Sequence, residues 1–304
     1  MLRQIKFLDD LKHHADYVYK IAMEDWCVSY PIYTDGIKTK EDFISAAEEA
    51  FTGENSEILG YYFEGPSFSY EELGLFGGQE EFVSWRSFEG WIHYFWIPEE
   101  KYLQLSGFYI RKGGLFAMME LLEMLEERFA GYTLYFGFPE KNDEAITVLK
   151  RGGYECIEDD WNYSFFFDKY EMRPQTEAVK QITRENYEDF RAVYHPDENT
   201  YWNCDRILEC LDEWFIYCHY EDKVPIGAIF FRGEDGYYEI FGLEFADAEF
   251  REDVARALLV SALNQCKRME AKYMTYFCEE KMRKTVEELG FQFVGEYLCF
   301  MKTV

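Results

Sequence analysis

Segments that would break or export a chain are scarce in this sequence. Only 7 prolines and 21 glycines are spread over 304 residues, too few for a long flexible linker. No run approaches the roughly 20 apolar residues that a membrane span needs. The opening Met-Leu-Arg-Gln-Ile-Lys is followed by charged residues rather than the apolar core of a signal peptide. The 8 cysteines include no CxxC pair, and most sit singly in apolar runs, where a thiol behaves as a small hydrophobe. Without a disulfide framework or a leader, the expected location is the reducing cytoplasm. His13, His14, His93, His195 and His219 show no metal-ligand spacing, and no HExxH or Gly-x-Ser-x-Gly occurs. Those gaps exclude a zincin site and a hydrolase elbow, and no metal is expected.

Positive charge is the other shortage. Against 59 acidic residues stand 31 Lys and Arg, for a formal charge of −28. A surface that negative repels nucleic acid and anionic lipid, because both must be neutralised by Lys and Arg, so neither is an expected partner. The same field opposes a polyanionic cofactor unless its site carries local positive charge, and it attracts a cationic amine. What the chain has in quantity is apolar surface, with 48% hydrophobic and 20% aromatic residues. That is a folding composition, and the length suits two domains.

The first half reads as a strand near Ile5–Leu8, a helix through Leu11–Trp26 and a helix capped by Thr39. Strands follow near Glu57–Phe63, Gly90–Ile97 and Tyr102–Ile110. A helix runs from the turn Arg111-Lys112-Gly113-Gly114 to about Phe129, with Gly131 as its stop. Then come a strand Tyr132–Phe138, a short helix Asn142–Arg151, Gly152-Gly153 and a strand Tyr154–Phe167. The second half repeats the order: strand Ala178–Thr183, helices near Glu185–Tyr194 and Asp205–Leu211, and strands Trp214–Tyr220, Pro225–Arg232 and Tyr237–Phe245. A helix Arg251–Glu270, a strand Tyr273–Cys278, a helix Lys281–Leu289 and a strand Phe291–Met301 complete it. Gly290 follows Gly153 by 137 residues and Arg251 follows Arg111 by 140, a domain duplication. The expected fold is α+β, with domains at 1–170 and 178–304 joined by the polar stretch Asp168–Glu177. Each domain has a mixed, mostly antiparallel central sheet flanked by helices.

A strand ending in a glycine turn and then a helix aims free N–H groups and a positive dipole end at an anion. Gly113 and Gly114 permit close approach, while Arg111 and Lys112 supply the local charge. With Asn142-x-x-Ala145-x-x-x-Leu149-x-x-x-Gly153-Tyr154 downstream, the chain resembles a tandem GCN5-related N-acetyltransferase (GNAT). The family's phosphate loop, Gln/Arg-x-x-Gly-x-Gly/Ala, is echoed by Arg111 to Ala117, with Phe116 at the last small position and Ala117 one residue late. The resemblance implies acetyl-CoA as acyl donor. It would be held along Tyr109, Ile110, Arg111, Lys112, Gly113, Gly114, Leu115, Phe116 and Ala117, with Asn142 near the pantetheine arm. It also implies transfer to a small-molecule amine by direct attack on the thioester.

The second copy departs further, with Glu252, Asp253, Val254 and Arg256 where the family loop is small and uncharged, which implies a degenerate cofactor loop. Leu149 and Val286 stand where the family has a proton-donating tyrosine, so water or Tyr154 would serve as the acid. Candidate bases are Glu99 and Glu100 in the first half and Glu239 and Glu244 in the second. The aromatic run Trp91–Trp96 and Tyr201, Trp202 and Trp214 are candidates for pocket walls or for core. The segment Gly65–Ser87, with Gly77-Gly78, reads as a lid or a surface insertion. Two functions stay open, an N-acyltransferase and a catalytically silent tandem module that binds a ligand or partner.

Overall fold

Thr39 opens its helix by a reciprocal cap. Its hydroxyl accepts from the Asp42 N–H at 3.1 Å, and the Asp42 carboxylate accepts from the Thr39 N–H at 3.1 Å. The computed structural model describes residues 1–24, 39–64, 68–69, 82–83, 86–196 and 200–304. The first half contains β1 (Leu2–Gln4), α1 (Leu8–Ala22), α2 (Lys40–Thr52), β2 (Ser56–Glu64), β3 (Phe68–Ser69) and β4 (Phe82–Val83). It continues with β5 (Arg86–Ile97), β6 (Tyr102–Ile110), α3 (Gly114–Arg128), β7 (Thr133–Pro139), α4 (Asp143–Arg151) and β8 (Glu155–Phe166). The second half contains β9 (Val179–Gln181), α5 (Tyr187–Arg191), α6 (Cys204–Glu209), β10 (Trp214–Glu221), β11 (Val224–Glu234) and β12 (Tyr237–Phe245). Then come α7 (Glu252–Arg268), β13 (Tyr273–Cys278), α8 (Arg283–Leu289) and β14 (Gln292–Thr303). The first strand lies three residues earlier than the sequence suggests. Ile5 is instead buried in one cluster with Leu11, Ala15 and Val18 of α1. Most of Gly65–Ser87, Trp26 and Cys27 lie outside the described residues.

Two compact units form, Met1–Asp159 with Glu296–Val304, and Asp160–Gly295. In the first the strand order is β1-β2-β5-β6-β7, with the end of β14 beside β7. In the second it is β9-β10-β11-β12-β13, with the end of β8 beside β13. Each sheet is antiparallel except for one parallel pair, β6–β7 or β12–β13, spanned by the long helix α3 or α7. One face of the first sheet is packed by α3 and α4 through Ala117, Leu121, Leu125, Phe136, Phe138 and Leu149. The other is packed by α1 and α2 through Leu11, Val18, Phe43 and Trp91. The second sheet repeats this with α7 and α8 on one face and α5 and α6 on the other. Among the described residues no helix is long and apolar enough to cross a membrane.

The sequence places the divide in Asp168–Glu177, with each half closed by its own last strand. In the structure those strands are exchanged. Trp161–Phe166 runs antiparallel to β13, burying Tyr163 and Phe165 with α7 and α8. Tyr297–Thr303 runs antiparallel to β7, burying Phe300 with α3. Both strands are rich in apolar residues over the stretch that pairs, Trp161 to Phe166 in one and Tyr297 to Met301 in the other. Apolar content says that a strand is buried, not which sheet receives it.

Replacing Phe300, which is fully buried, by Ala should therefore cost about 3–5 kcal/mol. Amide exchange should accelerate in β6 and β7. Acceleration in β12 and β13 instead would show that the last strand belongs to the second unit.

Candidate functional site

The site is set by where two strands part. β6 and β7 pair in parallel at Tyr102↔Thr133, Leu103↔Leu134 and Gln104↔Tyr135. Beyond that register β6 continues to Ile110 and β7 to Pro139. On its other edge β6 slips against β5 between His93 and Tyr94, leaving Ser106 as the extra residue of a bulge. A bulge bends and twists the strand that carries it, which turns the far end of β6 away from β7. The resulting gap opens toward the start of α3.

At that start Gly113 has φ +74°, a left-handed conformation that favours glycine, beside Tyr61 and Phe63. A Cβ on Gly114 would stand 2.6 Å from Glu144 Oε2, and that same oxygen accepts the Leu115 N–H at 3.0 Å. The protein's own carboxylate, from the first turn of α4, thus rests on an amide at the start of α3. Arg111 and Lys112 are exposed beside it. Arg111 is also tied to Glu89, since the Arg111 backbone N–H donates to the Glu89 carbonyl at 2.8 Å and both charges act on the Tyr17 hydroxyl. Glu89 is itself buried and accepts from Ser87 Oγ at 2.6 Å. Burial, and then the charges of Glu120, Glu89 and Glu144, hold the Tyr61 hydroxyl above its ordinary value. Phe116 points outward, 62% exposed.

Asn142 caps α4, its Oδ1 accepting the Ala145 N–H at 3.2 Å. It is only 5% exposed, yet its Nδ2 has no partner. A buried donor without an acceptor is costly. Leu149 lies fully buried in the α3–α4 core. Tyr154 is turned the same way, its hydroxyl donating to Glu126 at 3.1 Å. Glu126 is twelve residues into α3, about 18 Å along the helix from its start at 1.5 Å per residue. Burial, reinforced by Glu126, pushes the Tyr154 hydroxyl far above its ordinary range.

The remaining sequence candidates are scattered. Glu100 is exposed at the opposite end of β6, in the turn before Tyr102. Glu239 belongs to the second unit, on β12 opposite Arg232 and Thr275. Glu244 lies three residues past the bulge at Phe241, in the position that Tyr109 holds after the bulge at Ser106. Burial, and then the charge of Glu279, raises the Glu244 carboxyl above its usual value. His93 is held neutral, because burial pulls its imidazole down to about 4, and Ser56 Oγ lies 3.1 Å from its Nε2. Trp91 stacks on Phe43 in the core. Trp202 and Trp214 pack on one another at 5.2 Å, and Arg232 of the same unit lies over both.

In the second unit β12 and β13 also part, after Ile240↔Tyr276. The start of α7 is nevertheless acidic and filled. Glu252 pairs with Arg256 and Lys284, Arg251 donates to Glu221 at 3.0 Å, and Val254 is fully buried. Buried positions Ala117, Met118, Leu121 and Leu122 of α3 match Val254, Ala255, Leu258 and Leu259 of α7, a spacing of 137. On that register Arg251 corresponds to Gly114, not to Arg111. The strand-to-helix connection is shorter in the first unit, which sequence spacing alone conceals. Glu144 was the largest omission from the sequence reading. An acid in a first helical turn looks like an ordinary dipole partner, and nothing local says that it reaches another helix.

The sequence matches no family model and no curated protein. Solved structures match it in fold. A GCN5-related N-acetyltransferase from Sphaerobacter thermophilus superposes with TM-score 0.63 at 13% identity, over 99% of this chain and 95% of that one. A tandem GNAT protein from the clavulanic acid biosynthesis pathway superposes with TM-score 0.53 at 9% identity, over 99% and 98%. A GCN5-related glucosamine N-acetyltransferase region of a fungal multidomain β-N-acetylglucosaminidase gives TM-score 0.58 at 10% identity, over 99% of this chain and 38% of that one. The chain has the tandem GNAT fold.

Two outcomes are expected. Glu144→Ala, by clearing the amides, should tighten CoA binding at least tenfold in a calorimetric titration; equal or weaker affinity would show that the carboxylate does not compete. Glu244 has a folded value above its unfolded one, so its contribution is fully present below about pH 4.5, the unfolded carboxylate range, and is lost as pH rises through the folded value. Glu244→Gln should therefore be more stable than wild type at pH 7, with the difference in melting temperature shrinking at pH 4.

Proposed function

We propose that the first unit binds acetyl-CoA in the gap between β6 and β7 and transfers the acyl group to a small amine. The observation that carries this reading is the unpartnered Nδ2 of Asn142, buried at the head of α4 next to a glycine-edged helix start. Both features fit an acyl-CoA, whose arm offers amide carbonyls and whose other end offers a diphosphate. The Leu115 and Phe116 amides, with Arg111 and Lys112, would hold the diphosphate once Glu144 turns away. The backbone of Tyr109 and Ile110 and the bent stretch of β6 would line the arm, and Asn142 Nδ2 would donate to one of its carbonyls.

Acetyl-CoA supplies a thioester, an activated acyl group that needs no metal. The chain's part is to orient that group and exclude water. Phe108, Phe136 and Phe138 close the face of the gap toward α3 and α4, so the acceptor must approach from the opposite face. The net charge of −28 favours a cationic amine at that face over an anionic acceptor. The acidic start of α7 favours a second unit without a cofactor of its own.

The silent-module reading draws support from Glu144 and Leu149, one filling the amides and the other unable to donate a proton. Binding and turnover separate the two. Acetyl-CoA should raise the melting temperature of the wild type. Asn142→Asp keeps the cap on Ala145 and removes the donor, so it should melt near wild type without ligand and lose most of the shift. A full shift in Asn142→Asp would remove the arm contact, and no shift in wild type at millimolar acetyl-CoA would remove the cofactor. A shift without thiol release across an amine panel would leave the silent module.

A further inference from the structure

The acyl-transfer reading leaves one chemical requirement unmet by α4. The sulfur that departs must gain a proton, Leu149 carries none, and Tyr154 is committed to Glu126 on the far part of α3. We propose that Tyr297, on the last strand of the chain, is the proton donor to the leaving sulfur in the first unit. The proposal rests on that reading.

The placement follows from register and packing. In β14 Tyr297 lies opposite Pro139 and Cys299 opposite Gly137. Gly137 has no side chain, and the ring edge and hydroxyl of Tyr297 occupy the place that its Cβ would take. The hydroxyl therefore rests against the backbone of β7 two residues past Gln104↔Tyr135, the last pair between β6 and β7. This is where the strands have parted. Phe136 and Phe138 face α3 and α4, so by alternation Gly137 and the Tyr297 hydroxyl are on the other face. The α3–α4 face is closed by packed aromatic rings, so a proton donor to an atom in the gap has to come from the opposite face.

The neighbouring tyrosines are less well placed. Tyr135 and Tyr102 stack at 4.8 Å where β6 and β7 are still hydrogen-bonded, which leaves no room for a ligand between the strands. Tyr102 also donates to Gln104 at 2.6 Å. Tyr297 itself is 8% exposed, which fixes its ring without committing it to the α3–α4 core.

In the step, the acceptor nitrogen forms a bond to the acyl carbon and the carbon–sulfur bond breaks. Tyr297 Oη gives its proton to the sulfur. It recovers one through water from the acceptor nitrogen, which must lose a proton to become an amide. Amine and thioester become amide and thiol, with no further reactant.

The test uses acetyl-CoA with hydroxylamine as a small nucleophile, following thiol release, alongside calorimetric affinity for acetyl-CoA. Tyr297→Phe keeps the ring over Gly137, so folding and affinity should stay within about twofold of wild type while kcat falls at least tenfold. The high-pH decline of wild-type kcat, as the phenol ionises, should be absent from the variant. Gly137→Ala, whose Cβ displaces the ring, should reproduce the loss of kcat. An unchanged kcat in Tyr297→Phe, or a parallel loss of affinity and kcat, overturns the role of Tyr297 while leaving the acyl-CoA site standing. Wild type that binds no acetyl-CoA, or releases thiol no faster than buffer, overturns the acyl-transfer reading and this proposal together.

Discussion

The parting of β6 from β7 is the constraint on which the rest depends. A single extra residue, Ser106, bends β6 out of register, so three parallel pairs are followed by a gap. An edge of unpaired backbone inside a sheet is unfavourable unless something fills it. Several groups converge on the gap: the start of α3, the cap of α4 and the last strand of the chain. The same device recurs at Phe241 in the second unit, where Gly242, like Gly107, follows the bulge. There the ring of Phe230 would meet a Cβ on Gly242, as that of Tyr109 would on Gly107. The two copies thus share the bend, while the residues around it have diverged toward an acidic, ion-paired helix start in one and a glycine start in the other.

Glu144 gives the first unit its particular character. A carboxylate accepting a backbone N–H at a helix start satisfies a donor that would otherwise need water or a ligand. That satisfies the donor in the free protein and, on the acyl-CoA reading, places the cofactor in competition with the side chain. In a chain of charge −28 a local anion at that place would add to the general repulsion of CoA, opposed by Arg111 and Lys112 beside it. Arg111 is in part engaged by Tyr17 and Glu89, so little positive charge remains uncommitted.

Much of the fold was legible in the sequence, because capping and periodicity are local. Thr39 with Asp42 announced α2, the Gly113 turn announced α3, and β6 was read to its end residues. The duplication followed from repeated element order. The exchange of β8 and β14 was not legible, since both strands are apolar where they pair and their partners lie more than a hundred residues away. In the site, Gly113, Gly114 and Asn142 were found by their backbone roles. Glu144 and Tyr297 were missed because their significance is a contact across the fold, one with Leu115 and the other with Gly137. Glu100 and Glu239 were chosen for residue type near a strand, and the structure brings neither of them to the start of α3.

A crystal structure of the chain with CoA tests the central claim most directly. The account predicts the diphosphate on the Leu115 and Phe116 amides, Glu144 turned away, the arm between β6 and β7, and Asn142 Nδ2 on an arm carbonyl. Glu144 still bonded to Leu115, with the gap empty of ligand, would contradict it.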